Sequence, residues 1–360
     1  MDALDNPWRG KGLPENAGLA VGNISDTASE ASSFLERSPD GHPSPLLDAA
    51  DLAGIFGIGA LSIKDERSRM GLGSFKALGA AYAIAKRAGR KVRDGSAEDL
   101  GNALEGMTFA CASAGNHGLS LAAGAPFYGA KAAVFVSETV PEAFAVRLRQ
   151  KGAKVVRTGA TYEDSMSEAA RQAEVNGWVL LPDSTWPGMI DAGRDVMEGY
   201  LIMGDEISRQ IPEPPTHVFL QAGVGGLAAA CALSARATWG QDVTIVVVEP
   251  EYAPALLASI KAGKAVTAPG PVSTMGRLDC KEPSHLALKY LAREADWFTT
   301  ISDAVAADTV ALLSAHNLAT TPSGAAGIAA LHHAGPHAAA LGLGPGSRVL
   351  CYLSEGPEDV

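Results

Sequence analysis

Short apolar runs alternate along this chain with longer Ala-rich stretches whose apolar residues recur at helical spacing. The apolar runs predict β-strands at residues 107–113, 132–136, 154–157, 178–181, 217–221, 244–249 and 348–353. The amphipathic stretches predict α-helices at residues 77–87, 117–127, 142–151, 162–177, 192–210 and 226–239. Because strands that alternate with helices form parallel sheets covered on both faces, this pattern predicts the α/β class.

Composition and charge narrow the class of protein. The chain has 360 residues, 47% of them hydrophobic, which suits two domains or one large α/β body. Its net charge of −11 argues against nucleic acid or an anionic membrane as the main partner. Residues 1–5 do not resemble a secretory signal, and no apolar run is long enough to span a bilayer. The 4 cysteines are scattered without a CxxC pair. These features predict a cytoplasmic protein with no membrane partner, no disulfide framework and no zinc site.

Lys76 follows a charged, Gly-containing loop and opens an Ala-rich helical stretch. A lysine in this position can lose its proton and attack a carbonyl carbon, because burial and the positive end of a helix dipole both disfavour the ammonium. A single lysine that begins an amphipathic helix is ordinarily a surface residue. Three further segments, distant in sequence, favour the nucleophilic role, since each supplies a part that a Schiff-base enzyme requires.

The first of these segments is Ser113-Ala114-Gly115-Asn116-His117-Gly118, between a predicted strand and a predicted helix. Its small residues allow the backbone to approach a flat ligand closely, and the asparagine amide offers both a donor and an acceptor to a ring oxygen. An ordinary strand-to-helix turn with an asparagine cap explains the segment equally well.

The second segment is the Gly-rich turn Gly223-Val224-Gly225-Gly226-Leu227, again between a strand and a helix. Successive backbone N–H groups at a helix N-terminus form an anion site suited to a phosphate. A dinucleotide site is the alternative, with Glu249 on the ribose, although the turn lacks the last glycine of GxGxxG.

The third segment is Ser354-Glu355-Gly356, where a hydroxyl ends the last apolar run. A neutral serine beside a pyridine nitrogen would leave that nitrogen unprotonated, whereas an aspartate would hold a proton on it. Taken alone, Ser354 is a turn residue.

Together these segments resemble the fold type II family of pyridoxal-phosphate (PLP) enzymes, which contains the threonine and serine dehydratases. The likeness covers nearly everything from residue 43 onwards, and the segments at 183–186 and 280–283 are similar to those of diaminopropionate ammonia-lyases in particular. The resemblance implies two parallel-rich sheets flanked by helices, as in the tryptophan synthase β subunit, with PLP in a cleft between two domains. It further implies a homodimer, and it divides the chain into an N-terminal arm (1–40), a large PLP-binding domain (41–77 and 188–360) and a small domain (78–187).

The same resemblance implies a role for each candidate residue. Lys76 would carry the cofactor as a Schiff base and act as the catalytic base, and Asp183 would lie near the β-substituent of the substrate, with a helix N-cap as its alternative. No metal ligand is implied. The implied cofactor-binding residues are Asn116 on the ring hydroxyl, Gly223, Val224, Gly225, Gly226 and Leu227 on the phosphate, and Ser354 on the pyridine nitrogen. The implied residues on the substrate carboxylate are Ser113, Ala114, Gly115 and His117.

Ala114 departs from the ammonia-lyase pattern, which has an acid there as a second base on the opposite face of the cofactor. Alanine cannot move a proton, and the dehydratases, which use only the lysine, have the same small residue. We therefore expect Lys76 to take the α-proton of an L-amino acid, with little or no reaction of D-isomers and no racemase activity. A second departure, Arg277-Leu278-Asp279, indicates either a changed substrate pocket or a solvated loop.

The favoured hypothesis is PLP-dependent α,β-elimination on a β-substituted L-amino acid, with L-2,3-diaminopropionate as the expected substrate and a 2-oxo acid and ammonia as products. A serine/threonine-type dehydratase is the first alternative, to which Ala114 lends weight. A catalytically silent PLP-binding protein is the non-enzyme alternative, against which the intact Lys76 and Ser354 argue. A nucleotide-binding oxidoreductase rests only on the Gly-rich turn and Glu249.

Overall fold

Two β-sheets flanked by helices form the framework of the computed structural model, which describes residues 2–20, 22–25, 27–38, 40–113 and 115–357. The strands of these residues are β1 (Asp2–Asp5), β2 (Leu46–Asp48), β3 (Ala60–Asp65), β4 (Thr108–Ala112), β5 (Lys131–Val136), β6 (Lys154–Arg157), β7 (Val179–Leu180), β8 (His217–Gln221), β9 (Thr244–Pro250), β10 (Trp297–Ile301) and β11 (Arg348–Leu353). The α-helices are α1 (Ser29–Leu35), α2 (Ala50–Phe56), α3 (Lys76–Arg93), α4 (Asn116–Gly124), α5 (Glu142–Gln150), α6 (Tyr162–Asn176), α7 (Asp191–Gln210), α8 (Gly226–Trp239), α9 (Ala255–Ala262), α10 (His285–Glu294), α11 (Asp303–Ala315), α12 (Pro322–His332) and α13 (Ala338–Leu341).

The larger sheet has seven strands in the order β1-β10-β9-β8-β11-β3-β2. Its central strands are parallel to one another, and the edge strands β1 and β2 are antiparallel to their neighbours. Strand β8 is buried along its whole length because Val218 and Leu220 share a core with α8, while Phe219 shares a second core with α12. Alternate residues of a strand face opposite sides of a sheet, so helices cover both faces here.

The smaller sheet has four parallel strands in the order β6-β5-β4-β7. On β4, Phe109 and Cys111 belong to the main core, whereas Ala110 and Ala112 pack with Ala169 of α6 on the other face. The predicted α/β class with two parallel-rich, helix-covered sheets is therefore confirmed.

The polar opening of the chain, expected to be an arm, also contributes to the larger sheet. Residues Asp2–Asp5 form the antiparallel edge strand β1, with Ala3 opposite Thr299 of β10. The hydrophobic pattern did not reveal β1, because an edge strand of four residues with exposed ends buries too little to require a periodic apolar face. Among the helices of the described residues, none combines the length and apolar character of a membrane-spanning segment.

A buried ionic cluster connects the larger sheet to α7, just before the loop that ends at Lys76. Arg69 donates to Glu66 (2.7 Å) and to Glu206 of α7 (2.6 Å), and Lys64 of β3 lies 2.7 Å from the same Glu206 oxygen. The hydroxyl of Ser44 donates to Glu66 over 2.5 Å. Buried charges persist only when paired, so this cluster fixes the path of the chain between β3 and α3.

Candidate active site

The predicted site segments all follow the carboxyl ends of strands. Lys76 comes after β3, Asp183 after β7 and Ser354 after β11, while the turns at 113–118 and 222–225 follow β4 and β8. Parallel strands present their carboxyl ends at one edge of a sheet, where α/β proteins bind their ligands. Hydrogen bonds join the segments of Lys76, Asp183, Asn116 and Ser354 to one another, so the fold brings these four together.

Lys76 is the first residue of α3, and its ammonium donates to Asp183 Oδ2 over 2.5 Å. Burial lowers the pKa of Lys76, but the carboxylate of Asp183 and the nearby Tyr200 raise it, so that its pKa lies above the ordinary value. The expectation of a depressed pKa at Lys76 is therefore wrong, because Asp183 is close enough to outweigh burial. The alternative role of Asp183 as a helix N-cap is also wrong, since α7 begins only at Asp191.

Asp183 is held in its ionised form. Burial raises its pKa, but the ammonium of Lys76 lowers it through charge and a hydrogen bond, and the result lies well below the usual range of an aspartate. An ionised carboxylate accepts hydrogen bonds and attracts cations, but it has no proton to donate. The site therefore places a fixed negative charge directly beside the lysine nitrogen.

Asn116 is the first residue of α4, and the side chain of Ser113 stabilises the turn that precedes it. The hydroxyl of Ser113 accepts from the backbone N–H groups of Gly115 (3.2 Å) and Gly118 (3.0 Å). The amide of Asn116 donates through Nδ2 to Glu355 Oε2 over 2.6 Å. The turn is thus held by its own hydrogen bonds, and it presents one oriented amide.

The ring of His117 packs inside the protein. The side chain is almost fully buried, and Nε2 lies 2.8 Å from the carbonyl oxygen of Leu181. Burial lowers the pKa of this imidazole, which favours the neutral form. The His117 ring therefore has a protein partner at Nε2. Ala114, predicted to lie beside the substrate carboxylate, falls outside the described residues.

The Gly-rich turn after β8 leaves little room for a side chain at Gly223 or Gly225. A Cβ atom on Gly223 would lie 3.0 Å from Cys280 Sγ and 3.1 Å from Leu278 Cα, and Gly225, the N-cap of α8, has a φ of +98° that disfavours other residues. The first N–H groups of a helix have no partner within the helix, and α8 begins at Gly226. A narrow backbone cradle at a helix N-terminus fits a phosphate group.

Ser354 and Glu249 remain to be placed: the first was expected at the pyridine nitrogen and the second at a ribose. Ser354 is buried, and its carbonyl oxygen accepts from the N–H of Phe75 over 3.0 Å, which places it next to Lys76. The carboxylate of Glu249, by contrast, accepts from the N–H groups of Leu256 (2.7 Å) and Leu257 (2.8 Å) at the start of α9. Burial also raises the pKa of Glu249 to about 8. Because these contacts occupy its oxygens, Glu249 does not face a ribose. The oxidoreductase alternative therefore has no acid to bind the ribose.

Sequence reasoning missed Tyr200 and Glu355, and it left open whether the departure at Arg277 belongs to the site. Tyr200 of α7 is buried next to Lys76 and packs edge-on against Phe75, with ring centroids 4.9 Å apart; burial raises the pKa of its hydroxyl to about 12. Arg277 pairs with Glu355 over 2.8 Å beside a polar cavity of about 320 Å³, so the departure at this position lies at the site and not in a solvated loop. Glu355 adjoins Ser354 in the same motif, which was the available signal.

One group in the described part of the chain has ligand atoms close enough to hold a metal ion: Asp308, His332 and His333. His333 Nε2 lies 2.9 Å from the carboxylate of Asp308, and His332 Nδ1 lies 3.1 Å from the hydroxyl of Thr309. Both rings therefore have protein partners, and none of these residues belongs to the Lys76 site. The absence of a metal from the site stays a prediction.

The residues above fit PLP: a lysine for its aldehyde, an amide for its ring hydroxyl, a neutral serine for its nitrogen and a side-chain-free cradle for its phosphate. The sequence profile described as "Pyridoxal-phosphate dependent enzyme" matches residues 37–355. The chain belongs to this family. It is an enzyme whose cofactor is PLP, and its fold is the fold type II arrangement.

Relatives within this family are similar over most of their length. Diaminopropionate ammonia-lyase of Escherichia coli strain K12 is 33% identical over 287 residues, which cover 77% of this chain and 72% of that protein. The Salmonella typhimurium enzyme of the same name is 30% identical over 337 residues, 87% of this chain and 83% of the relative. The crystal structure of the Escherichia coli enzyme with an aminoacrylate-PLP azomethine reaction intermediate superposes with a TM-score of 0.86 at 29% identity, covering 99% of this chain and 93% of that one.

Proposed function

We propose that this PLP enzyme is an ammonia-lyase that eliminates the β-substituent of L-2,3-diaminopropionate, giving a 2-oxo acid and ammonia. The observation that carries the proposal is the ionised carboxylate of Asp183, 2.5 Å from the amine of Lys76. A β-ammonium group leaves as neutral ammonia when the C–N bond breaks, so its departure requires no acid. A β-hydroxyl leaving group requires a proton, which would have to come from a group other than Asp183, such as the cofactor phosphate.

PLP, when bound, withdraws electrons from the α-carbon of an amino acid and thereby acidifies its α-proton. Lys76 Nζ, when it is a neutral amine, accepts that proton, and Asp183 stabilises the ammonium that results. The same carboxylate attracts the cationic β-substituent of the substrate. The N–H groups of the 113–117 turn that are not already bonded to Ser113 bind the substrate carboxylate.

Ala114 supports a stereochemical part of the proposal. With no acid at this position, Lys76 is the base of the site, so L-isomers react and D-isomers react poorly or not at all. The same alanine favours a serine/threonine-type dehydratase as the second candidate function. The contact of Asp183 with the Lys76 amine argues for the diamine between these two, because it places a carboxylate where a cationic β-substituent could bind.

We further propose the division into an arm (1–40), a large domain (41–77 and 188–360) and a small domain (78–187). The two sheets support it, since all strands of the smaller sheet fall between Thr108 and Leu180. A homodimer is proposed from family likeness. A cytoplasmic location is proposed because all four cysteines, Cys111, Cys231, Cys280 and Cys351, are free thiols, three of them buried.

The decisive test is the ratio of ammonia to 2-oxo acid released from L-2,3-diaminopropionate and, separately, from L-serine and L-threonine. Two ammonia molecules per 2-oxo acid from the diamine, with little product from the hydroxy acids, is the expected result. Turnover confined to serine or threonine would establish the dehydratase instead. No turnover of any of the three by PLP-loaded protein would contradict both functions.

A further inference from the structure

Glu355 places a buried carboxylate among the residues of the site, although no cofactor role follows from its sequence position. Its side chain is only 5% exposed. One oxygen, Oε2, accepts from Asn116 Nδ2 over 2.6 Å and lies 2.8 Å from Arg277 Nε. The other oxygen, Oε1, accepts from the hydroxyl of Thr321. Both oxygens therefore have fixed donors, and one of these donors is the amide expected to bind the PLP ring hydroxyl.

The large-sheet side of the molecule holds this carboxylate rigidly. Thr321 is the N-cap of α12, and the hydroxyl of Thr320 donates to the backbone oxygen of Glu355 over 2.6 Å. The backbone of Glu355 also forms a β-bridge with Ser74, two residues before Lys76. A carboxylate at a helix N-terminus beside a guanidinium is stabilised as an anion. Glu355 is thus a fixed acceptor against which the Asn116 amide can be oriented.

Its partner, the amide of Asn116, has two chemically different ends. An ionised carboxylate only accepts hydrogen bonds, so it binds Nδ2 and repels Oδ1. The hydrogen bond to Glu355 therefore selects one of the two orientations of the amide about its last rotatable bond. In this orientation Nδ2 keeps a second N–H group for a further acceptor, because an amide nitrogen carries two.

We propose that Glu355 is a positioning residue, whose carboxylate holds the Asn116 amide with Nδ2 as the donor to the ring oxygen of PLP. This inference rests on the proposed role of Asn116 in cofactor binding. Its consequence is electrostatic: a donated hydrogen bond stabilises negative charge on the ring oxygen, and loss of that bond makes the oxygen hold a neighbouring proton more tightly.

The test is PLP binding by Glu355→Gln, whose side-chain amide can donate as well as accept and so no longer selects one orientation of Asn116. The dissociation constant of PLP is measured by titrating apoprotein and following the visible absorption of the bound cofactor. We expect the dissociation constant to rise about tenfold, the effect of one weakened charge-assisted hydrogen bond. The pH midpoint of the visible band should move to higher pH.

A double-mutant cycle with Asn116→Ala separates a positioning role from a merely structural one. If Glu355 acts through Asn116, then E355Q shifts the band midpoint in the wild-type background but not in the N116A background. Equal shifts in both backgrounds, or no shift in either, would overturn the inference. No effect of N116A itself would instead contradict the proposed role of Asn116.

Two controls distinguish a specific effect of Glu355→Gln from general misfolding: the variant Glu355→Asp and the melting temperatures of the apoproteins. The aspartate keeps the acceptor-only carboxylate, so we expect its band midpoint to lie closer to wild type than that of E355Q. If E355D shifts the midpoint as far as E355Q at equal apoprotein melting temperature, the charge and acceptor character of Glu355 are not what orients the amide. None of these measurements depends on turnover, so they remain decisive whatever the substrate is.

Discussion

At the scale of single residues, the site depends on charges that are distant in sequence and adjacent in space. Lys76 and Asp183 are 107 positions apart, yet their hydrogen bond reverses the direction of the pKa shift that burial alone would produce at Lys76. The same contact keeps Asp183 ionised. The proton acceptor Lys76 and the cation-attracting Asp183 therefore determine each other's pKa, so a substitution of either residue changes the pKa of the other.

Replacing Asp183 with Asn removes this mutual stabilisation. With burial left as the main influence, the pKa of Lys76 should fall below its ordinary value. We expect kcat/KM for L-2,3-diaminopropionate to fall about a hundredfold, within the range of a lost acid–base partner. The pH dependence of kcat/KM for D183N and wild type checks this. An unchanged rate would exclude Asp183 from the reaction.

Introducing an acid at position 114 tests the stereochemical proposal. Ala114→Asp should allow reaction of D-2,3-diaminopropionate, because a base on the second face of the cofactor can reach the α-proton that Lys76 cannot. Initial rates with each enantiomer, for A114D and for A114N as the uncharged control, give the comparison. Equal behaviour of both variants toward the D-isomer would show that the missing base is not the reason for stereoselectivity.

At the scale of elements, two connections position the site: the Gly-rich turn into α8 and the loop that leads from β3 to Lys76. The first depends on backbone geometry, since Gly225 has a positive φ and contacts α10 closely. The second depends on the buried ionic cluster, in which Arg69 reaches both Glu66 and Glu206. The pattern of the sequence predicted the first as a strand-turn-helix unit, but it gave no sign of the second, because partners in α7 and β3 meet only through tertiary packing.

Gly225→Ala should weaken cofactor binding beyond its effect on folding. The new Cβ atom would lie 3.0 Å from Ala287 Cβ, and the positive φ adds about 1 kcal/mol of backbone strain. Gly152→Ala is the matched control, since Gly152 has a φ of +86° with open space around it. We expect both variants to lower the apoprotein melting temperature and only G225A to raise the dissociation constant of PLP. Equal PLP affinities would contradict the phosphate role of the turn.

Glu206→Gln should cost about 3–5 kcal/mol of unfolding free energy near neutral pH, because Arg69 and Lys64 would remain buried with too little negative charge. Burial raises the pKa of Glu206, but Arg69 and Lys64 lower it below the ordinary value. Its contribution is therefore present above the unfolded pKa of about 4.3 and is lost as pH falls through the folded value.

Urea unfolding of wild type and E206Q as a function of pH measures this contribution. The difference between the two should shrink as the pH falls below about 4, where wild type loses the same charge. Glu142→Gln is the control, because Glu142 forms its ion pair with Arg149 at the exposed surface, and we expect a much smaller change there. A pH-independent difference for E206Q would contradict the assignment.

At the scale of the whole molecule, the site is where parts of both sheets meet. Lys76 follows a strand of the larger sheet and Asp183 one of the smaller, and the Asn116–Glu355 hydrogen bond also joins the two across 239 positions of sequence. A cofactor held at this junction contacts both parts at once. Its binding therefore stabilises the assembled molecule and not one element alone.

Removing PLP should lower the stability of the whole protein in one transition. A ligand that binds only the native state at about a thousand times its dissociation constant adds about 4 kcal/mol. Calorimetry of holoprotein, apoprotein and Lys76→Ala should show a higher melting temperature for holo wild type and a smaller gain on adding PLP to K76A. Turnover by K76A should be abolished. An equal PLP-induced gain in K76A and wild type, with activity retained, would exclude Lys76 as the cofactor lysine.

The sequence alone was sufficient for features that depend on local pattern. Strand and helix periodicity gave the α/β class, and the small residues after β4 and β8 marked the turns, since a close backbone approach leaves a compositional trace. Tertiary packing decided which buried polar side chains contact one another. Only the folded chain shows Asp183 beside Lys76 instead of capping a helix, Glu249 occupied by the N–H groups of α9, and Glu355 hydrogen-bonded to Asn116. Each of these contacts joins segments whose separation is set by packing, and the charge states of buried groups follow from that packing and not from residue type.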